Sequence, residues 1–139
     1  MESYHSSVLD LLFETDVKYR DFDLRMITHP QTNRLIPLKE ENAVKRALYN
    51  LIMTEPGERP FNHLLGVPLN RILFENDTNS LAVHNLILEA IERFEPRVKV
   101  KNIDLKHDSD EQTVIINLTF EVIKLKEEVE LTIYLQRTK

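Results

Sequence analysis

The chain has 139 residues, no cysteine and a formal net charge of −5. This fits one domain and excludes disulfides, thiolate nucleophiles and cysteine metal sites. An acidic chain with no basic block is also a poor nucleic-acid binder, because phosphate neutralisation supplies most non-specific affinity.

At this size a chain buries roughly 68–70% of the surface it exposes when unfolded, enough for a core without staples. No apolar run approaches the ~20 residues of a membrane helix. The start lacks a basic segment followed by a long apolar stretch, so no secretory signal is expected. The two glycines, Gly57 and Gly66, cannot build a phosphate loop.

Residues 1–18 read as an N-terminal extension in which Ser7 caps a short helix through Phe13. Phe22, Leu24 and Met26 alternate with Asp21, Asp23 and Arg25, the pattern of a half-buried strand. Residues 29–33 form a turn, and Leu35 and Ile36 begin a short return. Ala43, Val44, Ala47, Leu48, Leu51 and Ile52 line one face of a helix, with Glu40 and Glu41 in its first turn, where the dipole favours negative charge. Glu55, Pro56 and Gly57 stop it. A loop-rich segment follows, with a short helix through Leu69, Ile72 and Leu73.

The next helix runs from about Ser80 to Phe94, with Val83, Ile87, Ala90, Ile91 and Phe94 as its core stripe. Pro96 disfavours helical geometry at Glu95 and ends it. Beyond it Val98 and Val100 alternate out of phase with Ile103 and Leu105, which predicts a bulge near Asn102. Val114, Ile116, Leu118, Phe120 and Val122 share one face of a strand, as do Val129, Leu131, Ile133 and Leu135. Three strands with short turns imply an antiparallel meander. The predicted class is α+β, two main helices packed on a small, mainly antiparallel sheet.

Chemistry is sparse. None of the five histidines pairs at i, i+4 with a glutamate between, so no zinc-hydrolase motif exists. Ser6, Ser7 and Ser80 lack the glycine-flanked elbow of a hydrolase nucleophile. A two-carboxylate glycosidase is the enzyme reading to weigh, with Glu58, Glu75 and Glu95 as candidates. Their plainer roles are helix-end solvation and ion pairing.

Three stretches stand out together: residues 57–61 (Gly57, Glu58, Arg59, Pro60, Phe61); Gly66 with Leu69 and residues 73–76 (Leu73, Phe74, Glu75, Asn76); and residues 94–98 around Glu95, Pro96 and Arg97. In this order and spacing the chain resembles the small baseplate wedge family of T-even-type phages, which has counterparts in type VI secretion (TssE) and other contractile injection systems. Tyr19, Asp21 and Asp23 resemble the acidic stretch near that family's start. The similarity spans roughly Tyr19 to Leu135, so residues 19–139 are expected to be the wedge and sheath-initiator domain. His63, Leu64 and Leu65 stand where family members often have proline, glutamate and phenylalanine. Some members have been labelled lysozymes, and Leu64 could not replace a catalytic glutamate.

The resemblance implies a structural part of a virion tail baseplate, assembled in the host cytoplasm, or of the cytoplasmic side of an injection system. It implies no catalytic residue, cofactor, metal, nucleic acid or membrane. Its partners would be the wedge core, the sheath subunit and tail tube proteins. Glu95, Pro96 and Arg97 would dock to the wedge core. Gly57, Arg59, Phe74 and Glu75 would touch neighbours. The outward residues of the last strand, Glu130, Thr132, Tyr134 and Gln136, would meet the sheath. A peptidoglycan-cleaving tail enzyme and a free regulatory or adaptor domain are the alternatives. From composition alone, Glu95 and Arg97 read as a solvated ion pair at a helix stop, worth about 0–1 kcal/mol.

Overall fold

A computed structural model describes residues 18–69, 80–108 and 113–136. The expected helices near Ser7 and Leu73 lie outside these. The chain divides between Ala43 and Val44 into two compact units.

In the N-terminal unit, β1 (Arg20–Phe22) pairs antiparallel with β2 (Pro37–Lys39). The predicted half-buried strand through Met26 is corrected here. The strand stops at Phe22, and a turn follows in which the Met26 N–H donates to the Asp23 carbonyl at 2.9 Å. Phe22, Leu24 and Met26 are exposed, whereas Asp23 is buried. Arg25 explains the inversion. Its Nε and Nη2 donate to the Asp23 carboxylate at 2.6–3.1 Å, so the acid is paired rather than hydrated.

Helix α1 (Glu40–Met53) begins with two acids in its first turn. From Val44 onward Val44, Leu48, Leu51 and Ile52 are buried, the stripe that the 3.6-residue period predicts. The Thr54 hydroxyl donates back to the Asn50 carbonyl at 2.6 Å as the helix ends. The loop after it is closed by backbone hydrogen bonds. The Gly57 N–H donates to the His63 carbonyl at 2.9 Å, and the Val67 N–H to the Thr54 carbonyl at 2.9 Å. Gly66, with φ +121°, lets the loop press against the helix end. A Cβ there would lie 2.2 Å from the Thr54 carbonyl oxygen.

Helix α2 (Ser80–Phe94) buries Val83, Ile87, Ala90 and Ile91 and stops at the predicted residue, one before the position that Pro96 restricts. It packs on the first strand of the C-terminal sheet. That sheet is an antiparallel meander in the order β3 (Val98–Asp108), β4 (Thr113–Val122), β5 (Glu127–Gln136). The register shifts between Val100 and Asn102, the bulge that the phase change foretold. On β4 every second residue from Val114 to Val122 is buried. Phe120 is fully covered, which contributes about 1.5–3 kcal/mol. On β5 Val129, Ile133 and Leu135 are buried and Leu131 is half-buried. Among the described residues β4 is the one strand that pairs with β5, so β5 forms an edge.

Candidate functional site

The turn of Glu95, Pro96 and Arg97 is held from three sides. The Glu95 N–H completes α2 by donating to the Ile91 carbonyl at 2.8 Å. The Val98 N–H donates to the Glu95 carbonyl at 3.4 Å, and the Ile123 N–H, from the β4–β5 turn, donates to the Arg97 carbonyl at 3.0 Å. Helix end, strand start and strand turn therefore meet at one point.

On this frame Arg97 Nε donates to Glu95 Oε1 at 2.5 Å, and Nη2 donates to Oε2 at 2.6 Å. This is the planar two-bond match of guanidinium with carboxylate. Glu95 is only 6% exposed. The Arg97 side chain keeps 34% of its surface in solvent. The expectation of a solvated ion pair is thus corrected: the acid is buried, and the arginine is its lid and its outward face.

Beside this clamp lies a recess lined by Ala47, Asn50, Leu51, Arg59, Leu65, Phe94 and Glu95. Helix α1 supplies one wall, the loop after it another, and the end of α2 the third. Arg59 is exposed and forms no ion pair with a described residue, so its guanidinium is available to a neighbour. Gly57 and Arg59 therefore share the loop that flanks Glu95. Phe74 and Glu75 lie outside the described residues.

The enzyme reading finds little support in this geometry. Both Glu95 oxygens accept from Arg97, so neither is free to hand a proton to a substrate. Glu58 is exposed and accepts from the Glu55 N–H at 3.0 Å, a loop-closing role. Leu64 is exposed. Among the described residues no three acids or histidines gather into a metal-binding group, and no helix is long and apolar enough to cross a membrane.

The second candidate surface is the outward face of the meander. Its rows run Lys99, Glu121, Glu128; then Asn102, Thr119, Glu130; then Asp104, Asn117, Thr132; then Lys106, Ile115, Tyr134. Thr132 donates to Asn117 Oδ1 at 3.0 Å. Lys101, at the bulge, reaches Glu121 at 2.7 Å. Hydrogen bonding and charge from Lys101 hold the Glu121 carboxyl below its ordinary value and raise the Lys101 ammonium. The carboxyl's share of that attraction is in place above the ordinary carboxylate range and is lost as pH falls through the lowered value. Of the strand residues expected to meet the sheath, Glu130, Thr132, Tyr134 and Gln136 all lie exposed on this face. Glu128 shares it and was not among them; its even-numbered place in the alternation was the signal.

Arg25 is a partner for Asp23 that the alternation of apolar residues does not reveal. The same spacing, a carboxylate two residues before an arginine, recurs at Glu95 and Arg97, and that recurrence is visible in the sequence.

Comparison with known proteins agrees with this geometry. Residues 39–126 match the family of baseplate wedge protein gp25. The chain is 30% identical over 116 residues to baseplate wedge protein gp25 of Enterobacteria phage T4, covering 81% of this chain and 86% of that one. Its fold is similar to a component of the anti-feeding prophage baseplate (TM-score 0.58, 25% identity, 87% of each chain). It is also similar to a component of the post-contraction pyocin R2 baseplate (TM-score 0.53, 15% identity, 86% of this chain and 100% of that one). A Geobacter sulfurreducens protein described as a tail lysozyme shares the fold at TM-score 0.68 and 16% identity, over 76% of this chain and 98% of that one. With the ordered motifs around Gly57, Gly66 and Glu95 now placed on one unit, the chain belongs to the gp25 family of baseplate wedge proteins.

Proposed function

We propose that this protein docks to the wedge core of a contractile baseplate through Glu95, Pro96 and Arg97, and offers the free edge of β5 to the first ring of sheath. The observation that carries this reading is the pairing of a buried, two-bonded carboxylate with a partly exposed arginine on a rigid turn. A guanidinium already oriented by one carboxylate loses less side-chain freedom when its exposed side meets a second partner. Gly57 and Arg59 extend the same surface, and the family resemblance makes Phe74 and Glu75 candidates for neighbour contacts.

The sheath contact rests on β5. An edge strand presents alternate N–H and C=O groups with no partner, which an extended segment of another chain can use. Assembly takes place in the host cytoplasm or on the cytoplasmic face of an injection system, before the sheath polymerises around the tube.

The test is reconstitution. Baseplates assembled without this chain are expected to recruit no ordered sheath, and adding it back is expected to restore growth, as seen by electron microscopy. Ordered sheath of normal length on baseplates lacking it would overturn the proposal. The enzyme alternative has its own assay. The purified protein is expected to release no muropeptides from peptidoglycan near neutral pH. Release that disappears with Glu95→Gln or Glu58→Gln would establish a lytic site instead.

A further inference from the structure

The outward side of β5 is unevenly charged. Glu128 and Glu130 stand at its start, Thr132 at its middle and Tyr134 near its end. Glu127 precedes them, and the described part of the strand contains no lysine or arginine. None of the three glutamates forms an ion pair with a described residue. Lys101, whose charge Glu128 also feels, is bonded to Glu121. Glu128 lies directly across from Glu121, a like-charge cross-strand pair that disfavours the sheet locally. Lys126 sits in the β4–β5 turn and acts on Glu121. The opposite edge differs in sign: β3 exposes Lys99, Lys101 and Lys106, with Asp104 near Lys106 at 3.6 Å.

We infer that the strand added to β5 is basic. It carries lysine or arginine at two alternate positions, facing Glu128 and Glu130, and an apolar or aromatic residue four positions further along, beside Tyr134. The spacing follows from the pleat. Residues i and i+2 share a face, and four residues span about 13 Å at 3.3 Å each. The incoming cations would relieve the repulsion between Glu121 and Glu128. They would also close an edge whose carboxylates keep acidic and neutral strands away. The same segment is disfavoured at β3, where it would meet lysines. This inference rests on the proposed role of β5 as the sheath-binding edge.

The experiment uses the full chain and the sheath subunit of the same particle. Affinity is measured at low and high salt for the parent and for the double variant Glu128→Gln/Glu130→Gln, with amide hydrogen exchange followed on β5. Both positions are exposed, and Glu128→Gln removes the repulsion with Glu121, so the variant is expected to keep the parent's circular dichroism and to melt no lower than the parent. Supporting results are slowed exchange at alternate β5 amides on binding, about tenfold weaker binding of the variant, and a flattened salt dependence. Unchanged affinity and salt dependence with β5 still protected would leave the edge reading standing and overturn the basic strand. Binding without protection of β5 would overturn the edge reading and this inference with it, as would absence of any binding by the parent.

Discussion

Gly66→Ala is expected to destabilise the protein by about 3–5 kcal/mol, the sum of a strained backbone and an overpacked contact. At this chain length that lowers the melting temperature by roughly 10–20 °C. The new Cβ would sit 2.2 Å from the Thr54 carbonyl oxygen and 2.8 Å from its carbon. Both are backbone atoms, so no rotamer change relieves the clash. The Thr54 carbonyl cannot retreat freely, because it accepts from the Val67 N–H and because Thr54 is itself buried and tied to Asn50. A φ of +121° adds strain for any residue with a Cβ.

Gly57→Ala is the control. Its φ is +96°, yet nothing lies within 4 Å of the new Cβ, so strain alone applies and the loss is expected to be about 1–2 kcal/mol. Urea unfolding of the two variants separates the terms. Equal losses would mean that the loop relaxes around position 66, and that the tight contact with the helix end does not hold it. This loop also carries Arg59 and Leu65 to the recess beside Glu95, so binding of folded Gly66→Ala to the wedge core would show whether the surface proposed to face it depends on that contact.

Much of the C-terminal unit was legible in the sequence because its elements face a core on one side. Val83, Ile87, Ala90 and Ile91 repeat at helical spacing, Val114 to Val122 at strand spacing, and the phase slip at Asn102 became a bulge. Such patterns are informative when another layer exists to cover the apolar side. Phe22, Leu24 and Met26 show the same alternation and were misread. The hairpin unit leaves them in solvent, and the side chain it buries there is Asp23, ion-paired with Arg25. Alternation identifies two faces but does not say which has cover. The candidate site was legible in the same partial way. The residues Glu95, Pro96 and Arg97 were legible, but not the burial of Glu95. Burial is a property of the folded unit, in which residues remote in sequence, such as Leu51 of α1 and Leu65 of the loop after it, come to line the recess beside Glu95.

That burial changes what removing Arg97 should do. A solvated pair predicts no loss of stability in Arg97→Ala. Breaking a buried pair by removing one partner costs about 3–5 kcal/mol, because a charge is left without compensation. Arg97 is about one-third exposed, so water replaces part of what it supplied, and about 1–3 kcal/mol is the expected loss in the isolated protein. A double-mutant cycle isolates the cause. Glu95→Ala/Arg97→Ala removes the stranded carboxylate and is expected to be less destabilised than the sum of the two single variants, with a coupling of about 1–2 kcal/mol. Strict additivity would mean that Glu95 finds water once Arg97 is gone, and that the fork adds little to the fold. Binding is read separately, at a temperature where every variant remains folded. If Arg97 also reaches the wedge core, the single alanine variant loses about 2–5 kcal/mol of affinity, and Arg97→Lys, which keeps the charge but not the planar fork, falls between it and the parent. Co-purification of folded Arg97→Ala with the wedge at parental yield would remove Arg97 as the anchor and leave it as the clamp that keeps Glu95 buried. Arg59, the exposed arginine on the same recess, would then be the next residue to replace.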